Sequence, residues 1–136
     1  MREVCAWAGG LLLYLIGGFD ILLEGFLVLM IIDYILGLTL AGVFNRSKKS
    51  DNGGLNSFIG WMGIAKKITN ILFVIVAVEL QHMTGIPGIR EGVILAISLN
   101  ELISIIENAG LMGMPIPEPL MKMIDVMRGE KVEKNL

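Results

Sequence analysis

Five polar side chains gather on one side of a stretch late in the chain: Asn100, Glu101, Ser104, Glu107 and Asn108. On a helix turning about 100° per residue they share an arc of about 120°, with Leu99, Leu102, Ile103 and Ile106 facing away. Such a face in an apolar stretch either lines water and meets other subunits, or packs against neighbouring helices and never meets solvent. Asp33 heads a second pattern, Asp33, Gly37 and Ala41, each four apart. Small residues at that spacing let helix backbones approach closely, so this line is a helix-packing and oligomer-interface candidate. Measured back from their helix ends, Asp33 and Glu101 lie at similar depths. Glu107 lies nearer the end, level with Lys66 and Lys67, and a charge pair between Glu107 and either lysine is geometrically reasonable. Glu24, Glu79 and His82 sit near helix ends as lesser polar sites, and a lone histidine there is read as interfacial rather than as a ligand.

The remaining chemistry is sparse. No nucleophile–base pair, glycine-rich phosphate loop or His/Cys cluster can be assembled, so an enzyme is not expected and neither a cofactor nor a metal is implied. The single Cys5 excludes an internal disulfide. The nine methionines are spread through apolar stretches as adaptable packing. A net charge of −2 with no basic domain points away from nucleic acid.

The elements that must carry these residues are apolar and long. Of 136 residues, 54% are hydrophobic and 18% charged, with a mean hydropathy of +0.73. A soluble domain of this size leaves much of its surface in water and needs charge to cover it. Here the charges collect between apolar runs at about 4–19, 21–44, 66–84 and 91–110. The first run follows Arg2 like a signal peptide, but no small-residue cleavage site follows and a second apolar stretch begins at once. The expected fold is therefore all-α: one integral membrane domain over 1–136, with four transmembrane helices arranged as hairpins. Three spans result if the short first run lies in the interface. Arg46, Lys48, Lys49, Lys66 and Lys67 place the loop 45–57 in the cytoplasm, and Lys122, Arg128, Lys131 and Lys134 place the tail 114–136 there too. Leu120, Met123, Ile124 and Met127 give that tail an apolar stripe, hence a short amphipathic helix. Trp7 and Trp61 fall where interfacial aromatics belong.

Five segments carry a family resemblance: Gly17-Gly18-Phe19-Asp20; Leu29-Met30-Ile31-Ile32-Asp33-Tyr34-Ile35-Leu36-Gly37; Gly63-Ile64-Ala65-Lys66-Lys67; the run from Asn100 to Ala109; and Gly113-Met114-Pro115-Ile116-Pro117-Glu118. Together with the basic loop, in that order and over nearly the whole chain, they resemble the toxin-secretion/phage-lysis holins. That group comprises phage holins of Gram-positive hosts and the export holins beside clostridial toxin genes. One departure is Glu79, where the family often has an aspartate. The resemblance implies accumulation in the bacterial host's cytoplasmic membrane, homo-oligomerisation, and a timed lesion releasing an endolysin or a toxin. The implied partners are the lipid bilayer, further copies of the chain, the released endolysin or toxin, and an antiholin.

Two other functions compete. An antiholin would join the same oligomer and block its opening. A small proton-coupled multidrug exporter would use a carboxylate such as Asp33, although the strong Lys/Arg asymmetry argues against the dual orientation many exporters adopt.

Overall fold

The computed structural model describes residues 1–49, 51, 54, 56–127 and 129. The described chain is all-helical: α1 (Arg2–Leu15), α2 (Ile21–Gly42), α3 (Ser57–Thr84), α4 (Ile89–Leu111) and α5 (Glu118–Met127). The basic residues Arg128, Lys131 and Lys134, used above to orient the tail, lie outside the described residues.

The helix boundaries follow from local chemistry. Asp20 caps α2, its carboxylate accepting the Leu23 N–H at 2.8 Å, and Asn56 caps α3 through the Ile59 N–H at 2.9 Å. Gly85 (φ +68°) ends α3 in the left-handed conformation that costs glycine little. Gly113 (φ +83°) closes α4, with the Met114 N–H donating to the Ala109 carbonyl, and the prolines at 115, 117 and 119 prevent continuation.

The expectation of four membrane-spanning helices is corrected here, together with its three-span variant. Two helices, α2 and α3, are long and apolar enough to cross a membrane. The first run forms a 14-residue helix, about 21 Å long against a hydrocarbon core of about 30 Å. The 23-residue α4 is long enough, but Arg90, Glu91, Glu101 and Glu107, with two asparagines, dilute its apolar character. The third element also differs, because Asn56 starts α3 a full nine residues before Lys66. The segment 58–63 is therefore continuous with the helix, and both lysines sit in its third turn.

The packing is not by sequential hairpins. α2 packs chiefly on α4, while α3 packs on α4 and touches α2 more lightly; α1 rests lightly on α3. Contacts pair Asp20 with Arg90 and Asp33 with Asn108, so α2 and α4 run parallel. Tyr34 meets Gly60, and Met30 meets Asn70, which sets α3 antiparallel to α2. The buried residues of α2 are Leu23, Phe26, Met30, Asp33, Leu40 and Ala41, a stripe spaced by threes and fours as far as Asp33 and resumed two turns later. Leu23, Phe26 and Met30 meet Val74 of α3, Ile94 of α4 and Ile16 in the core. The outward faces are apolar as well: Ile31, Ile35, Phe73 and Val76 are each more than half exposed. Lipid is the solvent that suits such a surface.

α1 contributes no buried residue. In α5, Ile124 is buried, Leu120 half-buried and Met123 exposed, so the expected stripe is partly engaged.

Candidate functional site

Two buried charged clusters lie at different levels of the α2–α3–α4 bundle. At the first, α3 delivers Lys67 between two carboxylates. Its ammonium donates to Asp33 of α2 at 2.5 Å and to Glu101 of α4. Asn70, one turn along α3, donates to the second Glu101 oxygen at 2.8 Å. Asn108 of α4 lies 3.5 Å from the other Asp33 oxygen. The Glu101 side chain is wholly buried, Asp33 nearly so, and Lys67 only 14% exposed. Lys66 reaches to 3.9 Å from Glu101 while remaining 41% exposed. Two carboxylates and one enclosed ammonium leave a negative charge that only the rim lysine offsets.

Such burial has a physical logic. An ion taken out of water loses several kcal/mol of hydration, recovered only if partners and hydrogen bonds replace it. Here each buried carboxylate has the Lys67 ammonium and an amide. The arrangement ties one residue of α2 and one of α4 to a single nitrogen carried by α3.

Small residues let the helices approach here. At Gly63 a Cβ would come within 2.8 Å of the Tyr34 ring, so the ring lies directly on the α3 backbone. At Gly37 a Cβ would reach Asn108 at 3.9 Å, an ordinary contact. Ala41 is fully buried. The line Asp33, Gly37, Ala41 thus faces inward, with Asp33 and Gly37 meeting α4 of the same chain.

The expected polar face of α4 divides. Glu101 is buried, Ser104 and Asn108 are half-buried, and Asn100 and Glu107 are exposed. Glu107 lines a cleft with Lys66, Lys67 and Ser104. Glu24, Glu79 and His82 are exposed and lie outside both clusters.

The second cluster centres on Arg90, 3% exposed in the first turn of α4. Its Nε donates to the Ile16 carbonyl at 2.7 Å, Nη2 to the Gly18 carbonyl at 3.1 Å, and Nη1 to the Asp20 carboxylate at 2.7 Å. The Gln81 side chain accepts the Arg90 backbone N–H at 3.2 Å. Gly17 (φ +78°) and Gly18 (φ +90°) turn these carbonyls toward the guanidinium, and a Cβ on Gly17 would lie 2.8 Å from Nε. The hydrogen bond from Arg90 holds the Asp20 carboxyl below its usual range. Sequence reasoning singled out neither Arg90 nor Asn70. The signal for Asn70 was its place three residues after Lys67, on the same helix face. The signal for Arg90 was Gly17-Gly18, a pair suited to exposing backbone carbonyls.

Both clusters fall inside residues 10–129, which match the family model described as the bacteriophage holin family. The chain belongs to the bacteriophage holin family. Among its relatives is a protein named a probable holin of Bacillus phage phi105, 30% identical over 82% of this chain and 78% of its own length. An uncharacterized protein of Halalkalibacterium halodurans is 33% identical over 96% of this chain and 98% of that protein. A 14.9 kDa protein encoded in the nagH 3′ region of Clostridium perfringens is 34% identical over 90% of this chain and 89% of its own. No solved structure matches. Membership gives this chain a holin-like function, and with the two apolar helices it gives a membrane location.

Proposed function

We propose that this holin-family protein self-associates in the bacterial cytoplasmic membrane and opens a timed lesion through which an endolysin or a toxin leaves the cell. In the closed form α2 and α3 cross the membrane as a pair joined by the basic loop 45–57. The loop and the start of the tail share one end of the bundle, where Arg46 donates to the Leu111 carbonyl at the end of α4. The Lys/Arg content of that end assigns it to the cytoplasm.

The observation that carries this reading is the buried Asp33–Lys67–Glu101 cluster within helices whose outer faces are apolar. A protein built only to persist in lipid has no need of charges buried among its helices, because apolar packing of equal volume serves as well or better. Charges that shelter among helices in one arrangement and can face water in another suit a protein that must rearrange. When subunits regroup, Glu101 and Ser104 would turn from helix contacts to a water-filled lining.

The test is expression of the full chain alone in a bacterium carrying a cytoplasmic reporter enzyme. Abrupt release of the enzyme is the expected result. Dye efflux without enzyme release would replace this reading with the exporter. No release, combined with delayed lysis by a co-expressed holin, would identify an antiholin.

A further inference from the structure

The cleft beside the Lys67 cluster opens at the end of the molecule that holds the basic loop. It encloses about 130 Å³ between the C-terminal half of α2, the third turn of α3 and the end of α4. Lys48, Lys49 and Lys66 line it together with Ser47, Ser104 and Asn108. Among the described residues, neither Lys48 nor Lys49 has a carboxylate partner. Ser47 is 92% buried, and its hydroxyl accepts the Lys49 N–H at 3.2 Å, fixing the turn that carries the two lysines. Lys67 is held by Asp33 and Glu101 and Lys66 stands beside Glu101, so the four lysines at the cleft face the three carboxylates Asp33, Glu101 and Glu107 and leave one positive charge over.

The length of α3 bears on what this cleft takes. The 28 residues of α3 extend about 42 Å, some 12 Å more than the hydrocarbon core. With Gly85 at the far boundary, about the first eight residues project beyond the near one. Lys66 then lies at the hydrocarbon edge, the level of lipid phosphates. Phe58 and Trp61, both about two-thirds exposed, lie just outside that level on the same helix, where interfacial aromatics belong.

We propose that this cleft seats the phosphate of an anionic phospholipid, held by Lys48, Lys49 and Lys66 with Ser104 and Asn108 as hydrogen-bonding groups. The proposal rests on the membrane location of the protein and not on lesion formation. Lys66 links the site to the buried cluster, because the ammonium that would meet the phosphate also stands 3.9 Å from Glu101.

The test uses the purified full chain in mixed micelles, with retained lipid counted by native mass spectrometry. The probes are phosphatidylglycerol, phosphatidylcholine and inorganic phosphate. Phosphatidylglycerol should be retained in preference to phosphatidylcholine, and inorganic phosphate in excess should not displace it. Lys66→Gln should weaken retention about fivefold, the effect of one lysine near an anionic surface, while Lys122→Gln should not. Glu107→Gln should strengthen it. Equal weakening by Lys122→Gln would show general charge attraction and overturn the site. Displacement by inorganic phosphate would overturn the lipid and leave a free-phosphate site. Equal retention of phosphatidylcholine would overturn both. None of these readouts depends on lysis, so failure here leaves the lesion reading untouched.

Discussion

Arg90 and Lys67 are both buried cations that join helices, yet they do it by different chemistry. Arg90 is a fork that takes two backbone carbonyls and one carboxylate, and that carboxylate is 47% exposed. Its acceptors are fixed by the main chain and carry no titratable charge except Asp20 and the more distant Glu91. Lys67 is a point charge whose close partners, Asp33 and Glu101, are acids buried with it. The Arg90 cluster is a joint that needs geometry. The Lys67 cluster needs charge balance, and it loses support whenever one member moves or changes its protonation. The Lys67 level is therefore where rearrangement is expected to begin, while the Arg90 level holds.

Breaking the Lys67 cluster should have the largest effect. Lys67→Met removes the shared cation and leaves two buried carboxylates, which should cost about 3–5 kcal/mol. Thermal unfolding of the detergent-solubilised protein would read this as a large fall in midpoint. Adding Asp33→Asn and Glu101→Gln should recover most of it, since no buried charge then remains in this cluster. If the triple variant is no more stable than Lys67→Met, charge balance is not what this cluster requires.

At the other end, Arg90→Lys keeps the charge and loses the fork. At least one of the Ile16 and Gly18 carbonyls is left without its donor, at about 1–3 kcal/mol. The same unfolding assay should place this variant between wild type and Lys67→Met. Wild-type stability in Arg90→Lys would mean that charge, not geometry, matters at both ends, and the contrast would collapse.

The smallest effect concerns pH. Asp20 has its carboxyl held below the ordinary value of 3.8 by Arg90. A lowered folded-state value stabilises above the unfolded value and is lost as pH falls through the folded one. Asp20→Asn should therefore differ from wild type by a constant amount between pH 5 and 7, and the gap should narrow below about pH 4. Because Asp20 is half exposed, the gap is small throughout. A gap that widens on acidification would mean that Asp20 does not support folding through Arg90.

Much of this was legible in the residues, though unevenly. Helical, membrane-suited character followed from long apolar runs, and Glu101 stood out as a charge on an arc of a mostly apolar helix. The stripe on α2 was hidden, because a helix apolar on every side gives no periodicity, and only burial separates Met30 from Ile31. The lysines were recognised, but their partners were not. Read as a membrane threshold, Lys66 and Lys67 suggested Glu107 as a partner. Once Asn56 starts α3 early, Lys67 becomes a residue of the third turn, level with Asp33 and Glu101. The number of spans failed for a related reason: run length was counted without weighing the eight polar or charged residues distributed along α4.

The Gly17-Gly18 turn has a consequence for how freely α1 can vary. No side chain of α1 is buried, so its direction is set by the main chain at these two glycines and by the guanidinium they receive. Sequence change within α1 should be tolerated wherever it stays apolar. Sequence change at Gly17 should not, because a side chain there meets both an unfavourable φ and the Arg90 Nε. In a library randomised over residues 2–18, the helix would accept most apolar letters and the turn almost none. The information that aims α1 is thus stored outside α1, in a backbone turn and an arginine more than seventy residues away.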